Sequence, residues 1–269
     1  MLLTNIENFN LNQIADSGQC FRWKKTAKDT YQVIHRNQVV TISQTAGGAI
    51  RMDCGEDEYL ETWQRYFDLA EDYGKILMSI NPRDEYLVAA GNAAQGIRIL
   101  WQDPWETMAS FIISQRNNIP RIKATIERIC EKWGNPIPYK GGVVYTFPRP
   151  EVIAYADPAE LEAAGAYYRA EYLIEAAKNH QGRVDAWAAK DQQEAFKILT
   201  GFHGIGPKVA NCICLFGLHF TGAFPKDTWI SRIEEEHYNG AFPYWKYPGT
   251  AGIMQQYMFY YERMQQGKI

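Results

Sequence analysis

Lys208 and Asp227 are the two residues whose types and surroundings have the clearest chemical potential. Lys208 follows Pro207 and a run with three glycines in six residues, and it precedes a largely apolar stretch that begins at Val209. Because proline is favoured in the first turn of a helix, this stretch is predicted to be a buried helix that starts at Pro207. The helix dipole and partial desolvation both disfavour an ammonium group there, and the neutral amine of a lysine is a nucleophile that forms Schiff bases.

Asp227 lies in a Phe-Pro-Lys-Asp segment, 19 residues beyond Lys208. This segment can fold back toward the start of the helix, and an amine beside a carboxylate suits displacement at an electron-poor carbon. Two simpler interpretations remain open. A lysine near a helix start is most often a solvated surface charge, and a glycine turn is often only a turn.

The glycines before the helix, Gly201, Gly204 and Gly206, allow a tight turn and a close approach of the backbone. The pattern predicts a helix, a glycine hairpin and a second helix over about residues 190–218. Backbone N–H groups at such a turn and at the following helix start form a binding site for anions such as phosphate.

Length and composition predict a cytosolic, globular protein. The chain has 269 residues, of which 46% are apolar, and neither a signal peptide nor a membrane span is recognised at its start. The formal net charge of −3 counts against nucleic-acid binding, although one basic face would suffice. Such a face, or an ordinary solvated helix surface, could be formed by Arg116, Arg121, Lys123, Arg128 and Lys132. The five cysteines lack metal-ligand spacing and are expected to be reduced: Cys20, Cys54, Cys130, Cys212 and Cys214.

The order of the predicted elements indicates an α+β fold with two domains. Residues 1–98 contain short strands, including a β-rich run at Phe21–Trp23, followed by helices from about Glu56 and after Asp84. Residues 99–269 are predicted to be almost entirely helical, because Asp-Pro caps and helical spacing recur along them. Residues 135–150 contain four prolines and two adjacent glycines and are predicted to be a loop.

Three further stretches could contact nucleic acid. A polar turn, Arg116-Asn117-Asn118, separates two predicted helices and offers groups that suit an exposed base edge. Tyr168 and Arg169 open a helix and suit a wedge beside an orphaned base. In the last helix Gln255 and Phe259 are four residues apart and share one face, where an amide can bond a base and a ring can stack on it. Considered singly, each is more commonly a connection or part of the core.

Five stretches together resemble the motifs of 8-oxoguanine DNA glycosylases of the bacterial Ogg type, within the helix-hairpin-helix superfamily. They are SGQCFRW, NNIPR, YYRAEYL, GIGPKVANCICL and AGIMQQYMF, they occur in the family's order, and they span Ser17 to Phe259. The resemblance implies a TATA-binding-protein-like antiparallel β domain joined to an all-α glycosylase core. It also implies that the hairpin with Gly204 and Gly206 binds DNA phosphates, often with a monovalent cation.

The resemblance assigns roles to individual residues. It implies that Lys208 is the nucleophile and that Asp227 supports the cationic transition state. The Gly18 carbonyl would accept a hydrogen bond from the proton that oxidation places on guanine N7. Gln255 would read the Watson–Crick edge of the flipped base, which Cys212 and Phe259 would sandwich.

On the DNA side, Arg121 and Arg169 would read the orphaned cytosine and Tyr168 would wedge the stack. This chain departs from the eukaryotic pattern of three consecutive asparagines, so that Arg116 or Asn117 would fill the gap left by the flipped base. Asn118 completes this DNA-binding turn.

Two other departures concern the pocket. Trp229 stands where the eukaryotic enzymes have a histidine, which changes how the phosphate beside the lesion is held. Asn211 replaces an aspartate, so one negative charge is missing from the pocket rim.

These observations lead to the hypothesis of a bifunctional DNA repair glycosylase and abasic-site lyase. It would excise 8-oxoguanine, preferentially opposite cytosine, through base flipping, a lysine Schiff base and β-elimination. The expected partner is double-stranded DNA with an oxidised guanine, and no cofactor or structural metal is expected. A monomer in the cytoplasm, associated with the nucleoid if the source is bacterial, is anticipated. The alternatives are a non-catalytic helix-hairpin-helix DNA-binding module, or a glycosylase of the same superfamily for another damaged base.

Overall fold

An antiparallel sheet of five strands forms the N-terminal part of the fold. The computed structural model describes residues 1–4, 6–180 and 191–269. The strands lie in the order β1-β5-β4-β3-β2, and every neighbouring pair is antiparallel. Their bounds are Leu2–Leu3 (β1), Lys24–Ala27 (β2), Thr30–His35 (β3), Gln38–Gln44 (β4) and Ile50–Met52 (β5).

The register of β3 and β4 places apolar side chains opposite one another. Tyr31 pairs with Ile42 and Val33 pairs with Val40, and all four are buried. The two strands are joined at the predicted Arg36-Asn37 turn, where Arg36 adopts a left-handed φ of 54°. Alternate residues therefore provide one apolar face for the helices that cover the sheet.

The predicted strand at Phe21–Trp23 is wrong, because pairing begins only at Lys24. Side chains fix this segment instead. The Arg22 guanidinium donates to the Tyr145 carbonyl and lies 3.4 Å from the Glu106 carboxylate. These contacts tie the segment to the helical part of the chain before the sheet begins.

Helix α1 (Leu11–Asp16) and helix α2 pack against the sheet. Helix α2 consists of three successive segments, Glu56–Glu58, a π-helical turn at Tyr59–Trp63, and Gln64–Tyr66. Its aromatic residues fill a smaller hydrophobic core, in which Trp63, Phe67 and Ile42 are completely buried.

The described remainder of the chain is mainly helical, as predicted. Several helices begin with an aspartate cap, for example Asp103 and Asp157, each followed by proline at the first helical position. The helices are α3 (Tyr73–Met78), α4 (Glu85–Ala93), α5 (Pro104–Ser114), α6 (Ile119–Trp133), α7 (Pro150–Ala154), α8 (Pro158–Ala163), α9 (Arg169–His180), α10 (Gln192–Thr200), α11 (Pro207–Phe216), α12 (Thr228–His237) and α13 (Ala251–Gln265).

The prediction of a loop over 135–150 is wrong in part. Strands β6 (Pro136–Tyr139) and β7 (Gly142–Tyr145) form an antiparallel hairpin. Its turn residues Lys140 and Gly141 both have positive φ, of 49° and 77°, as in a tight two-residue turn. The prolines are accommodated because this sheet has two strands, so each strand leaves one edge free of pairing.

Side-chain packing divides the chain into two hydrophobic cores. The smaller contains residues between Phe9 and Phe67 together with Leu100, and the larger extends from Tyr73 to Met258. Helices α3 and α4 therefore pack with the larger core, and α4 contacts α13 extensively. The N-terminal segment is tied through Gln19 to the stretch that joins the two cores, because Gln19 donates to the Arg98 carbonyl and accepts from the Leu100 N–H.

The five cysteines are free thiols. In the described part of the chain, no helix has the length and apolar character needed to cross a bilayer. The start of the predicted helix at Lys190 lies outside the described residues, and helix α10 is described from Gln192, with Asp191 as its cap.

Candidate active site and DNA-binding surface

One cavity of about 650 Å³ contains both the amine and the carboxylate singled out in the sequence. Lys208 comes from the first turn of α11, and Asp227 from the residue that caps α12. Gly18 and Phe259 line the same cavity, although they are 241 positions apart in the sequence. The fold thus brings together residues from four separate stretches of the chain.

Lys208 is half-buried, and its Nζ lies 5.3 Å from the centroid of the Phe111 ring. The predicted helix start at Pro207 is confirmed, since α11 begins there after Gly206 as its cap. The amine therefore projects from a helix N-terminus across an aromatic ring, an environment that limits its contact with water.

Asp227 caps a helix and also has a carboxyl group whose pKa is shifted by its surroundings. Its Oδ1 accepts a hydrogen bond of 2.9 Å from the Ile230 N–H and so caps α12. Burial raises the pKa of the Asp227 carboxyl above its ordinary value, while that hydrogen bond and the nearby Lys208 amine act in the opposite direction. When this carboxyl is ionised, its partial burial strengthens its field on a neighbouring positive charge.

Cys212 lies one turn after Lys208 and is 2% exposed. Burial raises the pKa of its thiol to about 11, despite the opposing effect of Lys208. The thiol is therefore neutral near pH 7 and does not compete as a nucleophile. Gln255 is also buried, and its Oε1 accepts a hydrogen bond from Gln256. Neither Cys212 nor Gln255 lines the cavity as Gly18 and Phe259 do.

Gly18 and Phe259 are in direct contact. Gly18 has φ of +78°, and a Cβ atom built on it would lie 3.2 Å from Cε1 of Phe259. A side chain at this position would be strained by the backbone and crowded by the ring. Because no side chain intervenes, the backbone of residue 18 is accessible to a group that stacks on the Phe259 ring.

The glycine hairpin has the predicted form. Gly204 has φ of +82°, and a Cβ atom there would overlap the Tyr172 ring at 2.4 Å. Gly206 has open space around it and an extended backbone. The Gln115 side chain donates to the Gly204 carbonyl, which joins the hairpin to the end of α5.

A second cavity of about 510 Å³ lies between this hairpin and the polar turn. It is lined by Arg116, Tyr168 and Tyr172 together with Gly204 and Gly206. Tyr168 is 50% exposed, as a residue that contacts a partner molecule would be.

Arg169 is only 4% exposed and is bonded to backbone oxygens. Its guanidinium donates to the carbonyls of Gln115, Ala166 and Arg116, and it lies 4.4 Å from the centroid of the Tyr168 ring. It fixes the polar turn at the point where Arg116 adopts a left-handed φ of 47°.

The asparagines of the polar turn are engaged within the protein. Asn117 donates to the Ile113 carbonyl and accepts from the Asn118 N–H, and Asn118 caps α6 through the Arg121 N–H. Both asparagines line the cavity with Lys208. The side chains of Arg116 and Arg121 are exposed.

The comparisons with known proteins decide the family. Residues 1–108 match the N-terminal domain of 8-oxoguanine DNA glycosylase, and residues 109–241 match the HhH-GPD superfamily of base excision DNA repair proteins. The N-glycosylase/DNA lyase of Saccharomyces cerevisiae is 34% identical over 88% of this chain and 70% of its own.

The chain belongs to the 8-oxoguanine DNA glycosylase family. A crystal structure of the Clostridium acetobutylicum 8-oxoguanine glycosylase/lyase, in complex with DNA that has cytosine opposite 8-oxoguanine, superposes with a TM-score of 0.92. It is 35% identical and is matched over 98% of this chain and 95% of its own. A 3-methyladenine DNA glycosylase from Archaeoglobus fulgidus shares the fold, with a TM-score of 0.79 at 18% identity.

For this glycosylase, the sequence-based hypotheses of fold class and of a DNA glycosylase and lyase for 8-oxoguanine are confirmed. The roles of individual residues remain predictions. Within the described residues, no group of three or more His, Cys, Asp or Glu side chains could hold a metal ion.

Sequence reasoning missed Arg263, which also lines the cavity of this glycosylase. The signal was present, because Arg263 follows Gln255 and Phe259 at the same four-residue spacing on one helix face. Asp16, two residues before Gly18, was missed because a single carboxylate at the end of a short helix has no pattern that distinguishes it.

Proposed function

We propose that Lys208 is the nucleophile that displaces 8-oxoguanine from a flipped nucleotide bound in the 650 Å³ cavity. The observation that carries this proposal is that an amine and a carboxylate, both half-buried, line one cavity next to an aromatic ring. A duplex hides its bases, so the enzyme must extrude the nucleotide before the amine can reach it.

The reaction follows from the chemistry of an amine nucleophile. The Lys208 nitrogen forms a bond to C1′ as the C1′–N9 bond breaks, and the base leaves with the electron pair and takes up a proton. Opening of the sugar ring at O4′ then gives an iminium ion between Lys208 and C1′. Loss of the C2′ proton expels the 3′ phosphate, and this β-elimination cleaves the strand.

Asp227 stabilises the positive charge that develops on the sugar as the base departs. It is fixed by its hydrogen bond to the Ile230 N–H, so it needs no rearrangement during the reaction. Such pre-arranged charges are the largest catalytic contribution in many enzymes. The carboxylate must be ionised for this role.

The base would stack on Phe259, with its N7–H directed at the Gly18 carbonyl. Cys212 would form the opposite wall although it does not line the cavity in this structure, and its neutral thiol suits contact with an aromatic base. Gln255 would read the Watson–Crick edge after exchanging its present hydrogen bond with Gln256 for bonds to the base.

The hairpin would bind DNA phosphates through the open face of Gly206, with a monovalent cation on its carbonyls. Arg116, rather than Asn117, would fill the gap left by the flipped nucleotide. Arg116 is exposed in a left-handed turn, whereas the Asn117 side chain is bonded to the Ile113 carbonyl.

Tyr168 would wedge the stack beside this gap. Preference for cytosine would come from Arg116 and Arg121, because the N3 and O2 atoms of cytosine accept two hydrogen bonds. Arg169 would hold the turn in place through its bonds to the carbonyls of Gln115 and Arg116, and would contact cytosine only after releasing them. One chain supplies all of these groups, which supports action as a monomer on DNA.

Borohydride trapping tests this proposal. The protein is incubated with duplexes that carry 8-oxoguanine opposite each of the four bases, and the imine is reduced to a stable covalent complex. We expect a trapped band that is strongest opposite cytosine and is absent in Lys208→Gln. The matched control is Lys75→Gln, because Lys75 is an exposed lysine paired with Asp72 away from the cavity.

Two results would contradict the proposal. DNA binding without base release or a trapped band would indicate a non-catalytic binding module. Base release without a trapped band would indicate a glycosylase that uses water, with Asp227 as its main catalytic group.

A further inference from the structure

Helix α13 carries a stripe of three residues, Gln255, Phe259 and Arg263, on one face. The first two have roles in the proposed function, and the third has none. Arg263 is 8% exposed and lines the cavity that contains Lys208 and Asp227. A guanidinium buried in a cavity wall is uncommon unless its donors are used.

The contacts of Arg263 place it beside the residues that would hold the base. Its Nη1 donates a hydrogen bond of 2.8 Å to the carbonyl of Asp16, two residues before Gly18. Its guanidinium carbon lies 5.3 Å from the centroid of the Phe259 ring. Burial lowers the pKa of the guanidinium, while the carboxylates of Asp16 and Asp227 act in the opposite direction.

The guanidinium has donors to spare. It carries five N–H groups, and within the described part of the chain the Asp16 carbonyl is its one hydrogen-bond acceptor. None of its nitrogen atoms is among the fully enclosed atoms that lack a partner, so its remaining donors have access to solvent, and Arg263 is one of the residues that line the cavity. An anchor for the end of α13 would explain the bond to Asp16 but leaves these accessible donors without an acceptor in the described part of the chain.

The surroundings of Arg263 favour an acceptor with negative charge or a strong dipole. Lys123, Lys208 and Lys268 line this cavity together with Arg263, and the carboxylates of Asp16 and Asp227 line it as well, so cationic side chains outnumber anionic ones there. Oxygen atoms are the usual acceptors of arginine in nucleic-acid recognition, either on phosphates or on base carbonyls.

We propose that Arg263 donates a hydrogen bond to an oxygen atom of the flipped nucleotide. This inference rests on the proposed function, and it adds a binding residue that the sequence motifs did not include. The oxygen belongs either to a carbonyl of the oxidised base on Phe259 or to the phosphate of the same nucleotide. The two possibilities are distinguished by DNA with an abasic site, which keeps the phosphate but has no base.

The experiment measures single-turnover rates of wild type, Arg263→Gln and Arg263→Lys on two duplexes. One carries 8-oxoguanine opposite cytosine, and base release is followed. The other carries an abasic site, and strand cleavage is followed. Arg83→Gln is the matched control, because it removes the same charge from an exposed residue that does not line the cavity. Thermal melting of each variant reports on the fold.

If the acceptor is a base carbonyl, Arg263→Gln slows base release about 10-fold or more and leaves cleavage of the abasic duplex within about twofold of wild type. If the acceptor is the phosphate, both rates fall together, the salt dependence of DNA binding becomes shallower, and Arg263→Lys restores most of the loss.

Unchanged rates per folded molecule, with a lower melting temperature in Arg263→Gln, would overturn the inference and leave Arg263 as an anchor for α13. Wild-type base release in the same assay tests the proposed function itself, so failure of that function is seen separately from any effect of Arg263.

Discussion

Gly204 and Gly206 provide a matched pair that separates the stability of the hairpin from its contact with DNA. Gly204 has φ of +82°, and an alanine Cβ would lie 2.4 Å from Cγ of Tyr172. Gly206 has an extended backbone with φ of −84°, and nothing lies within 4 Å of a built Cβ atom. The same substitution therefore meets opposite environments two residues apart.

For Gly204→Ala, the left-handed backbone costs about 1–2 kcal/mol. The overlap with the Tyr172 ring adds about 1–3 kcal/mol, since the ring must move. We expect the free energy of unfolding to fall by about 2–5 kcal/mol, which lowers the melting temperature by about 4–10 °C at about 2 °C per kcal/mol for a chain of this size. For Gly206→Ala the loss is below about 1 kcal/mol, because alanine is only a poorer helix cap than glycine.

The assay combines thermal melting with DNA binding measured by fluorescence anisotropy on an undamaged duplex. Gly206→Ala should weaken binding several-fold while keeping the melting temperature, because its methyl group lies where the backbone N–H groups would meet a phosphate. Gly204→Ala should weaken both properties. Equal melting temperatures for the two variants, or normal DNA binding by Gly206→Ala, would refute this reasoning.

Three further predictions concern the cavity and the polar turn. Asp227→Asn should keep the helix cap, melt at a higher temperature than wild type at neutral pH, and lose most base release in single-turnover assays, because the buried charge is removed. The pKa of Asp227 is raised in the folded state. On acidification, wild-type base release should therefore fall at a pH above the usual titration range of an aspartate. As pH rises through the same range, ionisation of Asp227 should destabilise the fold, and melting curves recorded across pH would show this. Arg169→Gln should reduce the preference for cytosine over the other three opposite bases, measured by trapping, because Arg116 loses the bonds that hold its turn. Gly18→Ala should slow base release at least 10-fold and lower the melting temperature, because φ of +78° and the Phe259 ring both oppose a side chain.

The sequence predicted the elements whose signals are local. Proline at the first position identified the start of α11 at Pro207, and Asp-Pro pairs identified α5 and α8. The strand at Phe21–Trp23 was wrong because Arg22 is fixed by Glu106 and the Tyr145 carbonyl, partners more than 80 positions away. No local pattern reports such a contact.

The hairpin of β6 and β7 was missed for a related reason. Its prolines are usual signs of a loop, and they are compatible with a strand only because the sheet ends after two strands. Whether a strand is paired along one edge or both depends on its neighbours in the sheet. The residue propensities of the strand itself do not contain that information.

In the candidate site, the motif order was sufficient to predict Lys208, Asp227, Gly18 and Phe259 as one group, and the structure places all four around one cavity. The motif order was not sufficient to predict which side chains are buried and hydrogen-bonded within the protein. The motif predicts that Arg169 reads the orphaned cytosine, but in the fold its side chain is buried and donates to backbone carbonyls. Arg263 shares a helix face with Gln255 and Phe259 in the sequence, but its place in the cavity wall depends on the packing of α13 against residue 16.

The contact between Gly18 and Phe259 has a consequence for how activity arises during synthesis. A ribosome that has released residues 1–250 has already made Lys208, Asp227 and the glycine hairpin. Helix α13 is still missing, and with it the cavity wall that contains Phe259 and Arg263. Tyr257 and Met258 of this helix are completely buried, so the larger core is also incomplete at that stage. If the site acts as proposed, the group that attacks the sugar is synthesised before the surface that selects the base, and selectivity for the lesion depends on the docking of one final helix.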